Sequence, residues 1–317
     1  MGKFRIIDGH CDSLGQLVSG ERSLVEETLT GHWDLVRARK GDIALQFFAA
    51  YIESEYKPFL ARHRGLELIE AALAFVDRNK NDVCLVKDKE DLAKLGQEDK
   101  IGLLLSVEGG EILGEDLWML DIIFRLGVRS LGLTWNQRNA IGDGVGERES
   151  CGRLSNFGKE VIKKMNALGM LIDVSHLSEP CFWHVLEISD QPFIASHSNA
   201  YSVCAHPRNL TDHQLRALRD RKGLTGINFC PDFVKMNGKA SIPDLVEHIC
   251  HIAEIAGIET IGLGSDFDGI EETPRGLESA AKYPALLEEL DKAGFSEEEI
   301  QKICYENFER VLNDVLK

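Results

Sequence analysis

Short apolar runs recur along this chain and alternate with longer stretches in which apolar residues return every three or four positions. Most of the short runs are continuously apolar, which is typical of parallel strands that are covered on both faces. We therefore predict eight strands, at residues 4–8, 43–52, 101–107, 128–134, 170–175, 192–197, 224–229 and 260–265.

The stretches between these strands predict helices, because each has one apolar face at a spacing near 3.6 residues. Helix-capping residues mark several of the starts, among them Ser155, Thr211 and Ser241, and Ser296 forms a capping box with Glu299. The predicted helices lie at residues 57–79, 116–126, 155–168, 178–188, 211–221, 242–256, 283–293 and 296–314, whereas the connection at 13–42 is long and less regular.

A strand followed by a helix, repeated along the chain, predicts a (β/α)8 TIM barrel that residues 1–317 form as a single domain. A doubly wound open sheet is the alternative. Polar residues at the strand ends favour the barrel, because the C-terminal strand ends form one ring there and an open sheet would spread them apart. The Gly-rich, charged loop at 142–153 follows the fourth predicted strand and is expected to lie over that ring.

The composition, with 317 residues of which 44% are hydrophobic and 28% charged, is that of a globular protein with a large core. A net charge of −16 disfavours nucleic acid and anionic membrane surfaces as partners, since both are negatively charged. Eight cysteines without CxxC spacing indicate the thiols of a reducing compartment. The first residues contain no apolar signal core, and no apolar stretch is long enough to cross a bilayer. These features predict a cytoplasmic protein.

Five potential metal ligands each end or follow a predicted strand: His10 and Asp12 in DGHCD, Glu108 in SVEGG, His176 in DVSH and His197 in ASHS. Imidazole and carboxylate groups bind zinc-type divalent ions, and one carboxylate can bridge two of them. Taken singly, these residues also fit a polar loop, an acid at a helix N-terminus or hydrogen-bonded core histidines. Their shared position favours a two-metal hydrolase in which water completes the coordination.

Asp266 ends the eighth predicted strand in GSDFDG and would face the attacking water at such a site. A carboxylate in that place can act first as a general base and then as a general acid. Asp268, two residues later, fits a turn better. The other histidines lie in helical or loop contexts: His32, His63, His184, His206, His213, His248 and His251.

The segments DGHCD, SVEGG, LTWNQRN, LIDVSHLS, SHSNAYSVCAHPRNLTD, GLGSDFDG and GLESAAKYPALLEEL together resemble the membrane (renal-type) dipeptidase family, peptidase family M19 of the amidohydrolase superfamily. The resemblance runs from end to end and implies two divalent metal ions, zinc above all, joined by a bridging hydroxide. It implies that His10, Asp12 and Glu108 hold one ion, and that Glu108, His176 and His197 hold the other.

The same resemblance implies that Asp266 shuttles the proton and that Arg208, in HPRNLTD, binds the carboxylate of the substrate. A guanidinium suits that role because it can bind a carboxylate with two hydrogen bonds. Two positions depart from the mammalian members, since Trp135 replaces a histidine that contacts the substrate and Cys230 replaces a tyrosine. Both changes alter the substrate pocket.

The family likeness implies hydrolysis of small dipeptides, with a D-residue accepted at the C-terminal position, and a homodimer. Three alternatives stay open: an amidohydrolase that acts on N-acyl amino acids, a phosphoesterase, and a metal-binding homologue whose catalysis is impaired by the change at Trp135.

Overall fold

Nine parallel strands organise the part of the chain that the computed structural model describes, which is residues 4–95, 97 and 99–317. Their bounds lie close to the apolar runs from which eight of them are predicted. The strands are β1 (Ile6–Cys11), β2 (Ile43–Tyr51), β3 (Val83–Leu85), β4 (Ile101–Glu108), β5 (Val128–Gly132), β6 (Leu171–Asp173), β7 (Ile194–Ala195), β8 (Leu224–Ile227) and β9 (Ile261–Leu263).

Eight of these strands close into a ring. β1 pairs with β9 on one side and with β2 on the other, and β2 continues the ring by pairing with β4. β5, β6, β7 and β8 then follow in order back to β9. This closed parallel sheet with helices around it is the predicted (β/α)8 barrel.

The short strand β3 is absent from the sequence prediction. It pairs with the beginning of β4, at Ile101 to Leu103, whereas β5 pairs with the same edge of β4 from Leu105 onward. β3 therefore lies beside the ring without being one of its eight members. Its apolar run, VCLV, is four residues long, shorter than any run from which a strand is predicted.

Helices surround the ring, and those of eight or more residues fall within the predicted ranges, except that the last helix ends one residue beyond its range. The π-helical turn Lys302–Glu306 joins the last two without a break. The α-helices are α1 (Leu14–Ser19), α2 (Leu35–Lys40), α3 (Ala61–Arg78), α4 (Lys89–Lys94), α5 (Met119–Arg125), α6 (Asn156–Leu168), α7 (Glu179–Ile188), α8 (Asp212–Asp220), α9 (Pro231–Val234), α10 (Ile242–Ala256), α11 (Tyr283–Lys292), α12 (Glu297–Gln301) and α13 (Asn307–Val315).

Four short helices were not predicted: α1, α2 and α4, each of six residues, and α9, of four residues. Six residues complete fewer than two turns, so the helical period is barely visible in the sequence. Local capping specifies two of them. The Asp34 side chain accepts a hydrogen bond from Arg37 N–H at the start of α2, and Asp88 accepts one from Asp91 N–H at the start of α4.

Close packing fixes the seam at which β1 meets β9. Every residue of β1 is buried, and so is every residue of β4. The ring of Phe308 in α13 lies so close to Gly9 and Gly262 that a side chain at either glycine would displace it. This seam holds the C-terminal ends of β1 and β9 together, and these ends carry His10 and Asp266.

No helix in the described ranges combines the length and the apolar character that crossing a bilayer requires.

Candidate metal centre

The polar residues predicted at the strand ends meet at one rim of the barrel. Glu108 is the last residue of β4, and His10 lies at the end of β1, with Asp12 directly after it. His176, His197 and Asp266 follow β6, β7 and β9. Because parallel strands in a barrel present their C-terminal ends to one ring, residues far apart in the chain become neighbours.

Glu108 occupies the middle of this group, and its two carboxylate oxygens face different partners. Oε1 lies 2.9 Å from His176 Nε2 and 3.5 Å from His197 Nε2. Oε2 lies 3.5 Å from His10 Nε2, which in turn is 3.2 Å from Asp12 Oδ2. The Glu108 carboxylate therefore lies between two groups of candidate metal ligands, as a bridging ligand would.

The nitrogen and oxygen atoms that could bind a metal lie close to one another. His176 Nε2 and His197 Nε2 are 3.0 Å apart, and the ligand atoms of Glu108, His176 and His197 all lie within 4.8 Å of one another. Within the described chain, His10 Nε2 and Asp12 Oδ1 are buried without a hydrogen-bond partner. Buried polar atoms are costly when unsatisfied, so the residues present fit divalent cations of the zinc type.

Local electrostatics set suitable protonation states for metal binding. Burial opposes ionisation of Glu108, but the charge of His10 and the imidazoles of His176 and His197 beside the carboxylate hold its pKa well below the usual range. Burial, together with the charge of Arg208, lowers the pKa of His176, and burial and His10 lower that of His197. An ionised carboxylate and neutral imidazoles are the forms that bind metals.

The half of the site around β1 favours positive charge. Burial would lower the pKa of His10, but Asp12 and Glu108 raise it well above its ordinary value. Burial raises the pKa of Asp12 to about 7, against the pull of His10. Two carboxylates buried side by side repel each other when both are ionised, so a bound cation would stabilise their charged forms.

A second layer of hydrogen bonds orients two of the imidazole rings. His176 Nδ1 lies 2.7 Å from Asn136 Oδ1, and His197 Nδ1 lies 2.7 Å from Ser196 Oγ. The Ser196 hydroxyl donates to Asp173 Oδ2 at 2.5 Å. Since the Nδ1 atoms then carry the protons, each Nε2 presents its lone pair to the shared centre.

Two of the strand-end residues have left-handed backbone conformations, with φ of +65° at both His176 and Asp266. Residues other than glycine adopt this region at a cost of about 1–3 kcal/mol, and such residues cluster at functional sites. At both positions the chain turns sharply after its strand.

Asp266 and its neighbour Asp268 have different surroundings. Asp266 Oδ2 accepts a hydrogen bond from Asn228 Nδ2 at 2.9 Å, and Oδ1 lies 4.0 Å from His10 Nε2. Asp268 instead contacts the Arg22 guanidinium and accepts a 2.7 Å hydrogen bond from His32 N–H. Asp266 therefore faces the group of candidate metal ligands, which we call the donor cluster (His10, Asp12, Glu108, His176 and His197). Asp268 instead links the loops that contain Arg22 and His32, as expected for a residue in a turn.

Arg208 is a buried cation without an acidic partner. Its guanidinium donates to Ser198 Oγ at 3.2 Å and to His197 O at 3.0 Å, while Nε has no partner. Among the residues that the structure describes, no carboxylate lies within ion-pair distance of it. Burial lowers its pKa, which indicates the cost of keeping this charge away from water. The guanidinium is therefore available to an anionic group of a ligand.

Comparison with known proteins assigns the family. The family described as membrane dipeptidase, peptidase family M19, matches residues 1–317. The chain belongs to this family. It is therefore a metal-dependent hydrolase of the dipeptidase type.

Individual M19 relatives are similar over most of their length. An uncharacterized dipeptidase from Schizosaccharomyces pombe is 36% identical over 306 residues, which cover 90% of this chain and 73% of the relative. The crystal structure of dipeptidase AC, an M19 metallopeptidase, has a TM-score of 0.93 at 28% identity and covers 99% of both chains. A metallopeptidase from Rhodobacter sphaeroides, bound to a phosphinate mimic of L-Ala-D-Ala, has a TM-score of 0.92 at 27% identity, covering 99% of this chain and 100% of its own.

Two cavities flank the M19 residues at the rim, and His176 lines both. We name the main cavity, of about 670 Å³, for the candidate metal ligands that line it and not for its size; it is also lined by Asp12, Glu108, Trp135, Cys230 and Asp266. The side cavity, about 840 Å³, is also lined by Val145, Arg148, Trp183, Tyr201 and Arg208. The loop at 142–153, which was expected over the site, contributes to the side cavity, and Val145 N–H donates to His176 O at 2.7 Å.

Trp135 belongs to an aromatic wall of the main cavity. Its ring centroid is 5.4 Å from that of Tyr51 and 5.8 Å from that of His176. Lys57 Nζ lies 5.2 Å from the same ring centroid, which places a cation over its face. This position supplies packing around His176.

Sequence reasoning missed the residues that support the M19 site: Tyr51, Asn136, Asp173, Ser196 and Asn228. All but Asn136, which lies in a loop, are polar groups within or directly after an apolar strand, such as Asp173 in LID and Asn228 in GIN. Since a buried polar residue needs a partner, this placement is the signal that could have identified them.

Proposed function

We propose that this protein hydrolyses the amide bond of small dipeptides by means of two divalent ions, with zinc as the preferred ion. His10, Asp12 and Glu108 would hold one ion, and Glu108, His176 and His197 the other. The position of Glu108 between His10 with Asp12 on one side and His176 with His197 on the other carries this proposal. Bound there, the ions would lower the pKa of an attacking water and polarise the scissile carbonyl.

In this proposal Asp266 moves the proton. Its carboxylate accepts the proton that the attacking water loses and then delivers it to the nitrogen of the departing amino acid as the C–N bond breaks. The hydrogen bond from Asn228 to Oδ2 supports this role, because it fixes the carboxylate while Oδ1 stays directed toward the donor cluster.

Arg208 would bind the terminal carboxylate of the substrate. The buried guanidinium, which lacks an acidic partner within the described residues, supports this role. Binding the terminus at a fixed place would restrict the substrate to two residues. The metallopeptidase from Rhodobacter sphaeroides, bound to a mimic of L-Ala-D-Ala, supports acceptance of a D-residue at the C-terminal position.

A substrate panel with metal-loaded protein tests this proposal. We expect turnover of L-Ala-D-Ala and Gly-D-Ala, slower turnover of N-acetyl-D-Ala, and none of p-nitrophenyl phosphate. Preferential hydrolysis of N-acyl amino acids would contradict the dipeptidase assignment, and complete inactivity would favour a non-catalytic homologue. Elemental analysis of the active protein, which we expect to show two zinc ions per chain, tests the metal separately.

We also propose a cytoplasmic location. Cys11, Cys181 and Cys304 are buried free thiols, which suits a reducing compartment. Fractionation of cells that express the protein, with the activity measured in each fraction, tests this location.

A further inference from the structure

The wall of the main cavity carries negative charge beyond that of the candidate metal ligands. Acidic residues line it, and none of the described residues that line it is a lysine or an arginine. These additional lining acids are Glu53, Asp232, Asp268, Glu271 and Glu272. A cavity of one sign concentrates ligands of the opposite sign.

Two of these acids are already paired. Glu53 forms an ion pair with Arg64 at 2.6 Å, and Asp268 pairs with Arg22. Asp232, Glu271 and Glu272 are exposed at the cavity rim, and no cationic side chain in the described ranges pairs with them. Two divalent ions would offset the charge of the central carboxylates, so these three rim acids remain without a counter-charge.

The buried Arg208 gives the direction in which a dipeptide would lie. Arg208 lines the side cavity, and His176 lines both this cavity and the main one. If the terminal carboxylate binds Arg208, as the proposed function requires, the amino-terminal residue extends into the main cavity. The reacting carbonyl then falls at the donor cluster between the two cavities.

The segment after β9 brings two of the rim acids close to that amino-terminal residue. Gly269 packs directly on the carboxylates of Asp12 and Asp266, where any side chain would collide with them. Glu271 and Glu272 follow within three residues and line the same cavity. The side chain of the amino-terminal residue would therefore point toward a rim that carries uncompensated carboxylates.

We propose that the main cavity selects dipeptides whose amino-terminal residue has a cationic side chain, lysine or arginine. This inference rests on the proposed function, because the orientation depends on Arg208 holding the C-terminus. Each solvated carboxylate contributes little, so three together produce a preference of about tenfold in kcat/KM, equal to roughly 1.4 kcal/mol. The preference decreases as salt is added, because exposed charges are screened.

Matched dipeptides test the selection in metal-loaded protein. L-Lys-D-Ala and L-norleucyl-D-Ala differ only at the end of the side chain, and L-Glu-D-Ala reverses its charge. We expect kcat/KM to be about tenfold higher for the lysine substrate than for the norleucine substrate at low salt, and lowest for the glutamate substrate. Equal kcat/KM for lysine and norleucine substrates would overturn the inference while leaving the dipeptidase proposal intact. Failure to hydrolyse any dipeptide would overturn both.

A charge-matched pair of variants assigns the effect to the rim. In Glu271→Gln/Glu272→Gln the ratio of kcat/KM for the lysine and norleucine substrates should fall toward one. Glu70→Gln/Asp77→Asn removes two exposed acids of α3 that do not line the cavity and changes the net charge equally. The control should keep the full ratio. An unchanged ratio in the rim variant, or an equal fall in both, would show that the rim does not select.

Discussion

Replacement of Asp266 by asparagine separates proton transfer from every other property of the site. The two side chains have nearly the same shape, and the Asn228 amide can still donate to the oxygen that remains. The left-handed backbone at this position, with φ of +65°, is one that asparagine tolerates well. The variant therefore loses a proton acceptor and little else.

The size of the expected loss follows from that chemistry. A positioned general acid–base contributes about 10²- to 10⁴-fold to the rate, so Asp266→Asn should lower kcat at least about a hundredfold, or roughly 2.7 kcal/mol of barrier. The metal content should stay normal, because His10, Asp12, Glu108, His176 and His197 are unchanged. Stopped-flow or coupled assays on L-Ala-D-Ala, with elemental analysis of the same sample, measure both quantities.

Asp268→Asn is the matched control. This residue lies two positions later and has the same backbone conformation, with φ of +66°. Its carboxylate contacts the buried Arg22 guanidinium, so the substitution should lower the free energy of unfolding by about 3 kcal/mol. The folded fraction should keep nearly normal kcat. Near-normal turnover in Asp266→Asn, or an equal loss of kcat in both variants, would refute the role of Asp266.

The remaining predictions concern substrate binding, metal affinity and stability. Arg208→Ala should raise KM for free dipeptides far more than for C-terminally amidated ones, and equal effects on both would remove it from carboxylate binding. Ser196→Ala breaks the contact to His197 Nδ1 and should weaken metal binding about 10- to 100-fold in competition with a chromogenic chelator, whereas Ser202→Ala should not. Chelation of the metals should lower the Tm, and Zn²⁺ should restore it, since an ion that binds only the native state stabilises that state. Burial lowers the pKa of His248 in the folded state, so the unfolded chain binds this proton at a higher pH than the folded protein does. The free energy of unfolding should therefore decline as the pH falls below about 6.5. Thermal unfolding of His248→Gln should show a smaller decline.

The barrel and the meeting of the strand-end residues could be anticipated because the necessary information is local. The run before Glu108 is continuously apolar and ends in a carboxylate, and the barrel geometry then dictates where that carboxylate lies. The same holds for His10 and Asp266, which the closure of β1 on β9 brings together. By contrast, β3 lies in an apolar run of only four residues, and the six-residue helices complete fewer than two turns. Neither shows a clear hydrophobic period in the sequence.

The supporting contacts of the site could not be anticipated, because they depend on how side chains turn in three dimensions. Asn136 follows Trp135 in a loop, and only the packed structure places its oxygen 2.7 Å from His176 Nδ1. The link from Asp173 through Ser196 to His197 likewise crosses between two strands. The loop around Val145, which lines the side cavity, likewise shows no periodic signal in the sequence.

The seam between β1 and β9 has a consequence for how the protein is made. The backbone N–H of Asp266 donates to the carbonyl of His10 at 3.1 Å, so residues from opposite ends of the chain are direct neighbours. A nascent polypeptide that still lacks β9 can bring the candidate metal ligands near one another but cannot close the barrel that holds them in place. Metal binding would then indicate that the barrel has closed, and a fragment truncated before β9 should not bind the metal ions.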